Sequence, residues 1–292
     1  MRIGLGTAQL GLDYGIANRS GRLSRAEVRS ILDCALRNGI RVLDTSPSYG
    51  ECESRIGELK PTDARFSIVT KTPPLAGEVD AAQHVESHLR TSLRRLGVNA
   101  VHGLLVHRAE DLLESQGAEI HETLCELRSA RTVSKIGVSV YSGSQIDAVL
   151  ERYPIDLIQV PLSVVDQRLL DSGHVRALKE ANVEVHARSV FLQGLLLLEP
   201  ADLPAQFASF REPLRNLAHA ARREGLTLLE AAMGFVSGLQ DVDLLICGVD
   251  SAAHLGQLVR AAHRDVDTER FRGLGISDPR ILDPSKWPAG VR

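Results

Sequence analysis

What most constrains this chain is its alternation. Short apolar segments that read as strands recur at residues 2–6, 40–44, 66–71, 101–107, 135–140, 157–162, 183–189 and 243–249. Between them lie segments whose apolar residues follow helical spacing. The first is the clearest. Ser24-Arg-Ala-Glu27 has the form of a capping box, and Val28, Ile31, Leu32, Ala35 and Leu36 follow on one face before Asn38-Gly39 ends the helix. Further helices are expected at 81–96, 119–130, 145–152, 175–181, 214–224, 228–239 and 251–262, and residues 199–211, with Pro200 and Pro204 inside and Pro213 just beyond, read as a long loop. Parallel neighbours need a crossover, and a helix is the usual one. Eight such repeats in 292 residues predict an α/β chain folded as one (β/α)8 TIM barrel over 1–292, a fold that typically takes about 250 residues. The competing open sheet would carry a G-x-G-x-x-G fingerprint after a strand, and Gly4-Leu-Gly6 is only a fragment of one. From about residue 265 the pattern fades into an irregular tail that carries Trp287.

Composition narrows the partners. A formal charge of −3 argues against a nucleic-acid or membrane-surface partner, either of which favours a basic patch. No apolar run approaches the roughly 20 residues that cross a bilayer, and the N-terminus lacks the apolar stretch of a signal peptide. Cys34, Cys52, Cys125 and Cys247 are scattered, without the short paired spacings of zinc or disulfide sites. Reduced thiols and a cytoplasmic location are expected, as a monomer or small homo-oligomer acting on a small molecule. Cys34 and Cys125 sit in helical patterns and read as small core residues. His84, His88 and His102 form no convincing metal set.

The chemistry concentrates where strands end. Three strands finish on ionisable residues: Asp44, Lys71 and His107, with Tyr49 five residues beyond Asp44. The C-terminal ends of barrel strands converge on one rim, so these four can meet. A phenol titrates near 10 and is a weak acid at neutrality; an adjacent ammonium lowers that value. Lys71 can supply the ammonium, Asp44 can hold it charged, and His107 can orient a carbonyl oxygen toward Tyr49. Together they would deliver a proton to that oxygen. Reducing the carbonyl also needs a hydride, which no side chain supplies, so a nicotinamide cofactor is implied. The loops after strands seven and eight, with Gly248 and the Ser251 helix cap, suit a phosphate.

These motifs resemble the aldo-keto reductases over roughly residues 3–262. The matching stretches are Gly4-Leu-Gly-Thr7, Leu43-Asp-Thr-Ser-Pro-Ser-Tyr-Gly50, Val69-Thr-Lys71, Leu105-Val-His107, Gly137-Val-Ser139, Gln159-Val-Pro161, Gln193-Gly-Leu195 and Ile246-Cys-Gly248. The resemblance implies an Asp44, Tyr49, Lys71, His107 tetrad with Tyr49 as proton donor, and NADP or NAD bound in extended form. It implies Gly6, Thr7 and Asp44 near the nicotinamide ribose, Ser139 and Gln159 on the carboxamide, and Ser189, Leu192 and Gly194 along the pyrophosphate. Gly248, Ser251, His254 and Gln257 then fall at the adenosine end. The chain departs from the family pattern at Val140, Leu162-Ser163 and Leu258. Arg188 stands where a tyrosine commonly stacks on the nicotinamide, unless it points outward into a salt bridge. Asp250 adds a negative charge beside the phosphate site.

Two other readings stay open. A Schiff-base aldolase would also use a strand-end lysine, Lys71. The altered cofactor positions suit a non-catalytic, cofactor-sensing protein on the same barrel. Substrate specificity is expected in residues 10–22, 73–80, 141–144 and 199–211, and in the tail near Trp287.

Overall fold

The structure is a computed structural model, and it describes residues 2–18, 21–61, 65–75 and 80–288. Eight parallel strands close into a barrel in sequence order. They are β1 (Ile3–Gly6), β2 (Val42–Asp44), β3 (Ser67–Lys71), β4 (Val101–Val106), β5 (Val133–Ser139), β6 (Leu157–Pro161), β7 (Glu184–Arg188) and β8 (Leu244–Gly248). Closure runs through β1 and β8, where Gly6 pairs with Gly248. The helices form the outer ring and bury one face each. Helix Arg25–Arg37 starts on the expected capping box, with Ser24 accepting from the Glu27 amide and Glu27 accepting from Ser24. Helix Leu228–Gly238 repeats the device with Thr227 and Glu230.

The inside of the barrel explains the position of the polar groups. Val69, Leu105 and Leu157 form a small buried cluster, with Val42 packed against it, separate from the main core. Along a strand, side chains two residues apart share a face. One step of two from each of these residues therefore reaches Asp44, Lys71, His107 and Gln159. An apolar layer plugs the barrel, and the polar groups stand on it at the C-terminal rim.

Two regions depart most from the sequence expectation. Helix Cys52–Leu59 follows β2 and was not foreseen. Its apolar positions are few, and Gly57 interrupts it with a poor helix former. That glycine has a packing reason: a Cβ there would run into the Arg95 and Leu96 backbone of helix Ala81–Leu96. The region read as a long loop contains a 3-10 helix, Ala205–Phe210, that leads directly into helix Arg211–Arg223. Pro213 lies in the first turn of that helix, where its missing N–H is tolerated. The tail is irregular, as its sequence suggests, and is built of short capped turns that include Pro279–Leu282 and Pro284–Lys286. Trp287 is 3% exposed and packs edge-on against Phe207 at 4.8 Å.

Candidate active site

The rim brings Asp44, Tyr49, Lys71 and His107 to one cavity of about 360 Å³. Lys71 and Asp44 form the buried centre. The Lys71 Nζ lies 2.8 Å from each Asp44 carboxylate oxygen and 3.0 Å from the Thr45 carbonyl. An ammonium has three N–H donors, so all three are occupied. Gln159 donates from Nε2 to Asp44 Oδ1. The Asp44 carbonyl accepts from the Thr7 hydroxyl at 2.8 Å and the Thr7 amide at 3.0 Å. β2 thus ends in a carboxylate fixed from both sides of the barrel.

Tyr49 sits in the turn between β2 and helix Cys52–Leu59. Its amide donates to the Ser46 carbonyl at 3.0 Å, and the Ser48 amide donates to the Ser46 hydroxyl. Gly11, at the end of helix Ala8–Gly11, lets that helix approach closely, since a Cβ there would collide with the Tyr49 carbonyl. The phenol ring meets the His107 imidazole edge-on, with centroids 6.3 Å apart at 88°, and Lys71 Nζ is 5.4 Å from the ring centroid. His107 follows β4, its amide donating to the Thr72 hydroxyl at 3.2 Å.

Charge at the site departs from one sequence expectation. Burial, reinforced by the Asp44 carboxylate, raises the Tyr49 phenol; the cation that opposes the rise is Arg188. Lys71 was expected to lower the phenol, but its charge is held within the Asp44 pair. Burial also lowers Lys71 itself, against the pull of Asp44. Burial, then the Lys71 charge, pushes His107 down to about 4, so its imidazole is neutral at pH 7. Cys52, beneath the turn, is raised to about 11 by burial and donates toward the Thr7 backbone and hydroxyl oxygens at 3.1 Å.

Arg188 faces the cavity and is not an outward salt-bridge residue. Its Nε donates to Ser139 Oγ at 3.3 Å, one terminal nitrogen to Ser189 Oγ at 3.2 Å and the other to the Val140 carbonyl at 2.8 Å. The guanidinium carbon lies 4.1 Å from the centroid of the Tyr141 ring. The connection after β7 is tightly wound: Ser189, Leu192 and Gln193 take positive φ values of 61°, 46° and 55°, and Gly194 follows at 93°. Such left-handed residues cluster where a backbone is held for a purpose. The Gln193 carbonyl accepts from the Ile16 amide at 3.0 Å, which ties this turn to the loop after β1.

Of the other residues expected along a cofactor, Gly6, Thr7, Ser139, Gln159, Ser189, Gly194, Gly248 and His254 line the same cavity. Leu192 is fully buried in the core, and Gln257 lies on the exposed face of helix Ala252–Ala262. Ser251 caps that helix, accepting from the His254 amide at 3.1 Å. Gln9, Tyr14, Tyr141 and Phe191 line the cavity without having been singled out for binding. Among the expected specificity regions, 10–22 contributes Tyr14, Gly15, Ala17 and Asn18, 141–144 contributes Tyr141, and the tail contributes Pro284 and Ser285. The described residues of 73–80 and the residues of 199–211 do not line it.

The sequence profile of the Aldo/keto reductase family matches residues 2–275. The chain belongs to that family. It is 29% identical over 312 residues to the aldo-keto reductase YhdN of Bacillus subtilis, covering 97% of this chain and 92% of that one. It is 24% identical to the pyridoxal 4-dehydrogenase of Microbacterium luteolum, covering 88% of each. Among solved structures, the holo form of aldo-keto reductase AKR11C1 from Bacillus halodurans superposes with a TM-score of 0.76 at 19% identity, over 98% of this chain and 95% of that one. The glycerol dehydrogenase AKR11B4 of Gluconobacter oxydans gives 0.71 at 19% identity, over 94% and 90%. At such identities the structural likeness concerns the barrel. Among the described residues, no helix is long and apolar enough to cross a membrane.

The family implies a nicotinamide cofactor, and the donor set suits one. A cavity wall runs from Ser139 and Gln159, which offer side-chain hydrogen-bonding groups, past the wound turn at Ser189 to Gly194, to Gly248 and the capped helix start. A Cβ at Gly248 would meet the side-chain amide of Gln9, which would have to move aside. Asp250, bonded to His254 Nδ1 at 3.1 Å and Ser251 Oγ at 3.2 Å, puts a carboxylate at that end.

Proposed function

We propose that this chain reduces an aldehyde or ketone to the alcohol using NADH or NADPH, with Tyr49 as proton donor. The observation that carries the reading is the convergence of Asp44, Tyr49, Lys71 and His107 on one cavity. When bound, the nicotinamide supplies the hydride. Thr7, Ser139, Gln159, Ser189, Gly194, Gly248 and His254, which line the cavity, would hold it. NADH suits the adenosine end better than NADPH, because Asp250 would repel a 2′-phosphate and, among the described residues, His254 is the one basic side chain on that part of the wall.

The protein's own contribution is to hold and move one proton. Burial and Asp44 keep the phenol protonated, so the donor form is populated at neutral pH. A carbonyl oxygen that gains negative charge takes that proton, leaving the phenolate to be reprotonated from solvent. Neutral His107 can donate a hydrogen bond to the same oxygen. Arg188, which lowers the phenol, offers the transient phenolate a positive charge in the same cavity, while the Lys71 ammonium, 5.4 Å from the ring centroid, is paired with Asp44.

The Schiff-base alternative has less support. A lysine whose three donors are bonded to Asp44 and Thr45 is not presented as a free amine. The test is loss of nicotinamide absorbance with a panel of aldehydes. Tyr49→Phe should cut kcat at least about 100-fold while nicotinamide binding, followed by fluorescence, is retained. Equal turnover by Tyr49→Phe and the parent chain would overturn the assignment of Tyr49.

A further inference from the structure

The cavity contains a cation that no anion among the described residues neutralises. Among the described residues Arg188 makes no ion pair; its partners are two hydroxyls and a carbonyl. A guanidinium has five N–H donors, so two remain without an acceptor. Neither carboxylate on the cavity wall is available to it. Asp44 is bonded to Lys71 and Gln159, and Asp250 to His254 and Ser251. Arg188 is only partly exposed, so water compensates its charge incompletely.

Its placement is also fixed. The three hydrogen bonds and the Tyr141 ring at 4.1 Å hold the plane of the guanidinium. Tyr49, Lys71 and His107 share its cavity. Its charge reaches all three: it acts on the titration of each. A ligand whose carbonyl lies at Tyr49 therefore has a preset cation within the same space. The two remaining N–H donors match the two oxygens of a planar carboxylate.

We infer that Arg188 anchors a carboxylate on the substrate, so that the preferred carbonyl compounds are oxo-acids rather than neutral aldehydes. This rests on reading the cavity as a carbonyl-reducing site. It assigns Arg188 a role in choosing the substrate, separate from the proton transfer at Tyr49.

The experiment compares 4-oxobutanoate with its methyl ester, which presents the same aldehyde without the charge. The full-length chain should show kcat/KM about 10- to 100-fold higher for the acid, the range expected for hydrogen bonds to a charged partner. In Arg188→Met the acid-to-ester ratio should fall to near one. Arg188→Lys keeps the charge without the fork and should fall between. Because each ratio is internal to one protein, a general loss of activity does not change it. In parallel, calorimetry with glutarate measures anion binding without turnover, and Arg188→Met should weaken it at least about tenfold. A ratio near one in the parent chain, with the ester turned over, would overturn the anchor and leave the reductase reading standing. Glutarate binding that depends on Arg188, with neither aldehyde turned over, would overturn the reductase reading and leave the anion site. Glutarate binding equally tight in Arg188→Met overturns the anchor.

Discussion

Lys71→Met removes one half of a buried ion pair and should be among the costliest single changes in the molecule. The two side chains are 2% and 5% exposed, and both carboxylate oxygens lie 2.8 Å from the ammonium. Without Lys71 the Asp44 carboxylate keeps the Gln159 amide but no counter-ion. Removing one partner of such a pair costs about 3–5 kcal/mol, mostly the penalty of the charge left behind. Asp44→Asn alone should also destabilise, because burial and Arg188 then push Lys71 toward the neutral amine without opposition. The double variant removes both charges and should recover more than half of the summed loss, a coupling of at least about 2 kcal/mol. Urea unfolding measures this, and Trp287, the chain's one tryptophan, is buried and reports unfolding by fluorescence. Circular dichroism of the same samples checks that the transitions coincide. A Lys71→Met cost below about 1 kcal/mol, or single losses that simply add, would refute the claim that the two charges support each other.

Two further outcomes follow from the site's charges. His107 titrates at about 4 in the fold against an ordinary 6.5, so the unfolded chain binds the extra proton first as pH falls. Its stabilising contribution is complete above about pH 6.5 and is lost on the way down through 4, about 3 kcal/mol in all; urea melts between pH 4 and 7 should show it, and His107→Gln should flatten that part of the profile. Asp250→Asn removes the carboxylate at the adenosine end and should raise the affinity ratio of NADPH to NADH several-fold, since one close repulsion near the surface is worth about 1 kcal/mol or more; parallel fluorescence titrations with the two cofactors measure it, and an unchanged ratio contradicts a phosphate-facing Asp250.

The barrel was legible because its rule is local. Each repeat shows an apolar run, a polar turn and a helical stripe, and strand order then needs no long-range information. The four rim residues were legible for the same reason: a strand that ends in Asp, Lys or His states its own position. Helix Cys52–Leu59 was hidden because its glycine answers to a neighbouring helix, and that contact is invisible in one segment. The start of helix Arg211–Arg223 was hidden because Pro213 reads as a breaker unless its place in the first turn is known. The tail could be assigned to the rim only in outline. Trp287 proved to be a packing residue against Phe207, while its neighbours Pro284 and Ser285 reach the cavity.

The electrostatics of Tyr49 could not be read from residue types, because they depend on which charges cancel. Lys71 and Tyr49 in one sequence suggest an ammonium that acidifies a phenol. In the fold, all three ammonium protons go to Asp44 and Thr45, and the nearby carboxylate opposes the effect. The cation that does lower the phenol is Arg188, which no acid among the described residues neutralises. On the proposed anchoring, substrate charge would act on the same phenol as the proton transfer. A carboxylate bound at Arg188 would cancel the cation that lowers the phenol and so push Tyr49 further up, holding its proton more firmly.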